Sequence, residues 1–303
     1  MLWLKAGASI FKRLEKRFGG MSVRVIQDRL NSYGCVSAIE EDQALREITQ
    51  EIVLAALGRT DFFDKASFQG GTCLRTFHGV NRFSEDLDFS LKKPGKNFEL
   101  GGYFKIVEKD LGAFGYQIKV DDRSTVDEVV KKVFLKDDSI GRLLKLDYRL
   151  KIVPLRKIWI KFEVDSNSPS GACYEVRVMD FPFPAAVSLF DLPSLFAGKM
   201  HALLCREYVK GRDWYDFLWY VGKSVRPNFD LLAAALERAG PWAGKKTVVD
   251  AEWCLKVLSE KIDSMDFSKL QEDVRRFLKP VELASLKLWT REFFLGRAAK
   301  IFQ

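Results

Sequence analysis

Two aspartates separated by a single leucine carry the clearest chemical signal in the sequence. Asp86 and Asp88 lie in the segment Asp-Leu-Asp-Phe-Ser-Leu at residues 86–91, where polar and apolar side chains alternate. A period of two predicts a half-buried strand, and it places both carboxylates on one face of that strand. Neighbouring carboxylates repel each other unless a cation lies between them. Their hard oxygen atoms suit Mg²⁺, which commonly binds one or two carboxylates together with substrate phosphates.

A pair of glycines lies upstream of this strand. Gly70 and Gly71 follow a short apolar segment and precede Thr72, where the first turn of a helix is predicted. Glycine lets backbone N–H groups approach a phosphate at a helix N-terminus, although a purely conformational turn is the alternative. Arg75 would point from this turn toward the phosphates or toward a carboxylate. A phosphate-binding turn close to a carboxylate pair predicts a site for nucleotidyl transfer.

A second alternating segment could supply a third carboxylate. In residues 159–165 the apolar side chains at 160, 162 and 164 share one face, and Lys161, Glu163 and Asp165 share the other. If this strand lies beside the one that carries Asp86 and Asp88, Glu163 or Asp165 would be the third acidic ligand. The period of two cannot separate them, because both leave the same face. The alternative is an exposed strand face on which a carboxylate pairs with Lys161.

Three further candidates lie on predicted helices. Asp213 and Asp216 are three residues apart, so they share a helix face. Asp216 is the stronger candidate for an active centre, because Asp213 could instead cap its helix or pair with a neighbouring basic residue. Lys199 lies on an otherwise apolar helix, where a lysine could simply extend its ammonium group to solvent.

The composition limits the classes of protein that this chain can represent. Its 303 residues include 47% apolar and 30% charged side chains, which excludes a disordered chain. Five cysteines without a Cys-x-x-Cys pair predict reduced thiols of a cytoplasmic protein, and two histidines, His78 and His201, are too few for a histidine-rich metal centre. The lack of a signal peptide or of an apolar run of about 18 residues predicts no membrane association. A net charge of +8 favours a polyanionic partner, although an ordinary basic surface would have the same charge.

The scaffold that must position these residues is predicted to be α+β. Helices are predicted in residues 21–58, where Gly58 would end the second helix, and over about 98–114. The segments predicted as strands of one sheet are 116–120, 129–136, 143–150, 157–165 and 174–179. Residues 181–184, Phe-Pro-Phe-Pro, are predicted to be an edge segment or linker, because proline cannot donate to a ladder. After residue 192 only helices are predicted, the last over 281–299.

Four sequence blocks together resemble a known family. The block GGTCLR at residues 70–75, followed by SEDLD at residues 84–88, resembles the signature of the AbiEii/AbiGii-type nucleotidyltransferases. The blocks DLPSLFAGK at 191–199 and KGRDWYD at 210–216 look like later parts of the same signature. The resemblance covers roughly residues 21–220. That family lies within the DNA polymerase β-like superfamily, and it includes toxins of type IV toxin–antitoxin and abortive-infection systems.

The resemblance implies a fold and a chemistry. It implies a polymerase β-like nucleotidyltransferase domain with a mixed sheet at residues 21–185, an all-helical C-terminal domain at 186–303, and an N-terminal extension at 1–20 that it does not cover. It also implies Mg²⁺-dependent transfer of a nucleotide from an NTP, with two metal ions expected about 3.5–4 Å apart. Lys199 would hold the triphosphate, and Asp216, with Asp213, would belong to the active centre. Thr72 stands where many superfamily members have serine, so either its hydroxyl or the backbone alone would contact phosphate.

The acceptor and the partners are less constrained by the resemblance. Some relatives act on tRNA 3′ ends, which favours an RNA acceptor of the tRNA kind. The basic and aromatic residues at 275–279 and 287–291 could bind RNA, although an ordinary amphipathic helix pair explains them equally well. A small molecule or a protein is the alternative acceptor, and a non-catalytic nucleotide-binding or RNA-binding module is the alternative class. The protein is expected to be a cytoplasmic monomer, with a cognate antitoxin as a possible partner.

Overall fold

The computed structural model describes residues 22–124, 129–137, 139–140, 144 and 158–302, and these residues form two compact units. The first unit contains residues 22–65, the described part of Lys96–Val164, and Val178–Val187. The second contains Ala66–Gly95, Asp165–Arg177 and residues 188–302. The predicted extension at 1–20 and, apart from residue 144, the predicted strand at 143–150 lie outside the described residues.

Helices and strands both occur, so the chain is of the mixed α/β kind. The described helices are α1 (22–32), α2 (Ala38–Gly58), α3 (Phe62–Lys65), α4 (Gly70–His78), α5 (Gly101–Ala113), α6 (Leu192–Cys205), α7 (Gly211–Gly222), α8 (Phe229–Arg238), α9 (Ala251–Asp263), α10 (Phe267–Arg275), α11 (Pro280–Leu283) and α12 (Arg291–Phe302). The described strands are β1 (Ala66–Gln69), β2 (Asp86–Leu91), β3 (Lys119–Asp122), β4 (Val130–Asp137), β5 (Ile158–Asp165), β6 (Tyr174–Met179) and β7 (Ala185–Phe190). In the parts of the chain that the structure describes, every helix is too short or too polar to cross a bilayer.

The first unit packs α2 against α5 and carries the strand order β3-β4-β5. Strands β3 and β4 are antiparallel, with Lys119 opposite Lys136. The prediction that Gly58 ends α2 as a C-terminal glycine is wrong, because the helix includes Gly58 and its cap is Arg59, with φ of −88°. A Cβ atom on Gly58 would lie 3.0 Å from the Cβ of Ala185. Close packing therefore explains the glycine.

The second unit carries the strand order β2-β1-β7-β6. Strand β1 pairs antiparallel with β2, where Gln69 lies opposite Asp88, and parallel with β7, where Phe68 lies opposite Leu189. The sheet in this unit is therefore mixed. The sequence analysis predicts no strand at the position of β7. This strand is buried along nearly its whole length, so it lacks the alternation by which half-buried strands are recognised.

After Leu192 every described regular element is helical, and these helices belong to the same compact unit as β1, α4 and β2. The predicted boundary between domains at 185/186 stays a prediction. The single helix predicted over 281–299 is wrong: α11 and a 3₁₀ turn at Ala284–Leu288 precede α12. The chain leaves helical geometry at Trp289, whose ring is buried and lies 5.4 Å from that of Phe294. Burial of this indole explains the break.

Candidate active site

Strand β2 presents its carboxylates as the sequence predicts. Asp86 and Asp88 are partly exposed, whereas Leu87 and Phe89 between and after them are buried. The apolar side chains anchor the strand in the core of the second unit. The two carboxylates therefore leave the opposite face together, at the point where β1 leads into α4.

Gly70 brings the start of α4 against Asp88. Its φ of +78° lies in the left-handed region, and a Cβ atom there would be 2.6 Å from Oδ2 of Asp88. Only glycine satisfies both constraints without strain. The N-cap residue, Gln69, makes no side-chain hydrogen bond to the helix, so the first N–H groups of α4 lack the usual capping partner. Such a terminus favours an anion.

The neighbouring side chains of α4 hold the loop and the strand. Thr72 is buried, and its Oγ1 donates a hydrogen bond to the backbone oxygen of Asp86. The Nη1 atom of Arg75 donates to the backbone oxygen of Val80 at 3.0 Å, and its guanidinium lies 5.1 Å from the ring centre of Phe83. Both side chains thus have partners on the segment that joins α4 to β2, and their predicted contacts with phosphate stay predictions.

Arg82 is a candidate that the sequence analysis missed. It is 2% exposed, and it binds Asp216 through two parallel hydrogen bonds, Nε to Oδ1 at 2.6 Å and Nη2 to Oδ2 at 2.5 Å. A Cβ atom on Gly71 would lie 2.6 Å from Nη2 of Arg82, so the second glycine of the pair makes room for this guanidinium. The sequence offers only a weak sign of the contact, because the partners are 134 residues apart.

Lys199 lies between the two aspartates of α7. Its Nζ is 2.7 Å from Oδ1 of Asp213 and 2.8 Å from Oδ2 of Asp216, and Arg206 binds the other oxygen of Asp213. The predicted common helix face is confirmed, since Asp213 and Asp216 are both buried and reach one ammonium group. Together with Arg82 these residues form what we call the charge network, in which three cations meet two anions.

The charge network keeps its members ionised. Burial tends to lower the pKa of Lys199, but the carboxylates of Asp213 and Asp216 outweigh it, and the pKa is raised. Burial tends to raise the pKa of Asp213, but Lys199 and Arg206 outweigh it, and the pKa is lowered. The pKa of Arg82 is raised in the same way, because Asp216 outweighs the cost of burying the guanidinium. At neutral pH the network has a formal charge of +1.

The two candidates for a third carboxylate each have a cationic partner. Asp165, in the second unit, accepts from Nη2 of Arg238 at 2.6 Å and from the backbone N–H of Asn167 at 2.9 Å. Glu163, in the first unit, lies 2.6 Å from Nζ of Lys161. Nothing here separates the two, so the third carboxylate stays a prediction.

The donor set of β2 fits a hard divalent cation. Among the residues with described positions, no three carboxylate, imidazole or thiol groups converge closely enough to hold a metal ion. Two half-exposed carboxylates on one strand face nevertheless suit Mg²⁺, because this ion usually completes its shell with substrate phosphates and water.

The histidines contribute little to this site. His78 is the last residue of α4, and burial together with the charge of Arg177 lowers its pKa to about 4, so it is neutral at pH 7. His201 lies on α6, where its Nε2 is 3.3 Å from the backbone oxygen of Ala239.

Comparisons with known proteins place the chain in a family. Two solved structures from Helicobacter pylori are similar to it: a candidate nucleotidyltransferase, with TM-score 0.44, 16% identity and coverage of 84% of this chain and 91% of that one, and JHP933, with TM-score 0.47, 16% identity and coverage of 86% and 90%. No curated protein gives a significant match. The model of the AbiEii family, described as nucleotidyl transferase toxins of type IV toxin–antitoxin systems, matches residues 52–296. The chain belongs to this family and is a nucleotidyltransferase.

Proposed function

We propose that this protein is a toxin that transfers a nucleoside monophosphate from an NTP to a hydroxyl group of an RNA acceptor of the tRNA kind, in a Mg²⁺-dependent reaction in the cytoplasm. One observation carries the proposal. The half-exposed carboxylates of Asp86 and Asp88 lie beside the start of α4, whose first residue, Gly70, packs its backbone against Asp88. A carboxylate pair beside an anion-favouring helix terminus matches the needs of nucleotidyl transfer.

The phosphates would be held by α4 and by Lys199. The first N–H groups of α4 point out of the helix toward an anion, and the helix dipole favours negative charge there. Lys199 is linked to that turn through the charge network, because it binds Asp216, which binds Arg82, which lies against Gly71. Phosphoryl transfer asks little covalent chemistry of a protein, so positioning and charge would supply most of the acceleration.

The metal would be held by Asp86 and Asp88, with Glu163 or Asp165 as a third ligand. Mg²⁺ bound there would supply charge neutralisation and activation of the acceptor hydroxyl. The protein's own contribution is to fix the carboxylates. Thr72 binds the backbone oxygen of Asp86, and the apolar neighbours of Asp86 and Asp88 anchor the strand.

Charge supports an RNA acceptor, but the terminal aromatic residues do not add to that support. The net charge of +8 favours a polyanion. Phe277 and Trp289 are 2% and 3% exposed, so neither ring is available to stack on a base. RNA contacts in this region would therefore come from basic side chains. The family's description as a toxin–antitoxin component also supports a cognate antitoxin.

Transfer of labelled nucleotide tests the proposal directly. The purified protein is incubated with Mg²⁺, each α-labelled NTP, and either total RNA or a protein extract, and the labelled products are separated by size. We expect label in RNA of tRNA length, and a loss of at least about a hundredfold in Asp86→Asn and Asp88→Asn. Asp28→Asn, at an exposed site on α1, is the matched control.

Three outcomes would contradict parts of the proposal. Label in protein or in small molecules would make the acceptor assignment wrong. Full transfer by both strand variants would make the carboxylate assignment wrong. No transfer by the wild-type protein to any acceptor, with every NTP, would favour a non-catalytic binding module.

A further inference from the structure

A cavity of about 190 Å³ lies in the second unit. Apolar side chains of β7 and α8 form part of its wall. The remaining wall is formed mainly by Gln69, Ser90, Asp165, Gly198, His201 and Arg238. Its volume is below the range of about 300–1,000 Å³ that is typical of pockets for larger ligands, so it has room for one small ring system and little more.

The cavity borders the proposed catalytic residues. Ser90 follows Asp88 by two positions on β2, so the two side chains leave the same face, about 7 Å apart along the strand. Gln69 lies opposite Asp88 in the antiparallel pair and so shares that face. It also precedes Gly70 directly, as Gly198 precedes Lys199. The cavity therefore adjoins both groups that would hold the phosphates.

Gly198 has no explanation within the protein itself. It lies in the interior of α6, where glycine costs about 0.5–1 kcal/mol of stability relative to alanine, and its φ is not in the left-handed region. A Cβ atom there would meet no protein atom within 4 Å. Neither backbone geometry nor packing requires glycine at this wall of the cavity, so we look to a ligand for the reason.

We infer that the cavity binds the nucleoside part of the NTP, and that Gly198 keeps the space that this group needs. The inference rests on the proposed function and names the substrate-binding part of the same site. The apolar side chains suit the faces of a base. Asp165 and Arg238, joined at 2.6 Å, offer a hydrogen-bond acceptor and a donor to its edge. An RNA chain is too large for this volume.

Replacing Gly198 by alanine separates a ligand role from a structural one. Gly198→Ala adds one methyl group at a site open in the free protein, so we expect Tm to rise by about 1–4 °C. The same methyl group would overlap the bound nucleoside, so we expect KM for the preferred NTP to rise about tenfold. Gly296→Ala is the matched control, because Gly296 also lies inside a helix, α12, with no atom within 4 Å of its Cβ position, and it does not line the cavity.

The measurements are Tm without ligand, KM in the transfer assay, and equilibrium binding of each NTP and of inorganic tripolyphosphate. We expect Gly198→Ala to weaken NTP binding but not tripolyphosphate binding, and Gly296→Ala to raise Tm alone. Equal NTP affinity and KM in Gly198→Ala and the wild type would overturn the inference while transfer persists. Parallel loss of NTP and tripolyphosphate binding would overturn it too, since the nucleoside would then not be the group affected. If the wild type transfers nothing, the proposed function fails separately, and the NTP-binding comparison still decides the use of the cavity.

Discussion

Asp216 should matter more to folding stability than its partner Arg82, and the geometry of the charge network gives the reason. Asp216 is fully buried and serves two cations, Arg82 at 2.5 Å and Lys199 at 2.8 Å. In Asp216→Asn, three cations would face the single anion Asp213. In Arg82→Met, two cations and two anions would remain, and Asp216 would keep Lys199 as its partner. The two substitutions break the same ion pair but leave different residual charges.

The expected magnitudes follow from that difference. Removing one partner from a buried ion pair costs about 3–5 kcal/mol when the other charge is left uncompensated, which is what Asp216→Asn does. Arg82→Met removes hydrogen bonds to a charged group that stays paired, a loss of about 1.5–3 kcal/mol. Against a total stability of about 5–15 kcal/mol, the first loss threatens folding and the second does not.

Urea unfolding at pH 7, followed by circular dichroism, measures both changes. Asp263→Asn is the control, because Asp263 pairs with Arg291 at the surface, where both side chains are 50% exposed. We expect this control to change the free energy of unfolding by less than about 1 kcal/mol. If Arg82→Met destabilises the protein as much as Asp216→Asn, the charge count does not govern the network and the reasoning is wrong.

Three further predictions follow from single contacts. Gly70→Ala and Gly79→Ala each place a side chain at positive φ and should each cost about 1–2 kcal/mol in urea unfolding. Only Gly70→Ala should also reduce nucleotide transfer, because its Cβ would displace Asp88, whereas that of Gly79 meets no atom within 4 Å. The depressed pKa of Asp213 means that its stabilising contribution is present above pH 3.8 and is lost below it, so the stability advantage of wild type over Asp213→Asn should shrink as pH falls through that value. The pKa of His78, lowered from 6.5 to about 4, means that the unfolded chain takes up a proton first, so urea midpoints of wild type should fall toward those of His78→Gln between pH 6.5 and about 4.

Patterns confined to one element were the ones that could be predicted from the sequence. The alternation at residues 86–91 predicts β2 and the common face of its carboxylates, and the spacing of Asp213 and Asp216 predicts their common helix face. Each pattern depends only on the period of its own strand or helix. The residues that form β6, Tyr174–Met179, are predicted with the same bounds that the structure has.

Features that depend on tertiary partners could not be predicted in this way. Strand β7 is buried along most of its length, so nothing alternates in its sequence. Arg82 is followed by a phenylalanine and precedes an ordinary acidic stretch, and only the fold brings Asp216 to it. The role of Gly58 depends likewise on Ala185, far along the chain. In each case the missing information is the identity of a distant partner.

The charge network also bears on why a metal is needed. Three cations and two anions leave one net positive charge, and Lys199 shares its ammonium group between Asp213 and Asp216. A triphosphate carries several negative charges, so this network and the partial charge at the start of α4 would neutralise only part of them. The acidic side chains of Asp86 and Asp88 would add repulsion unless a cation lies between them and the phosphates. The residues of this chain are therefore arranged so that, without a divalent cation, the substrate would meet two carboxylates and too little positive charge to offset them.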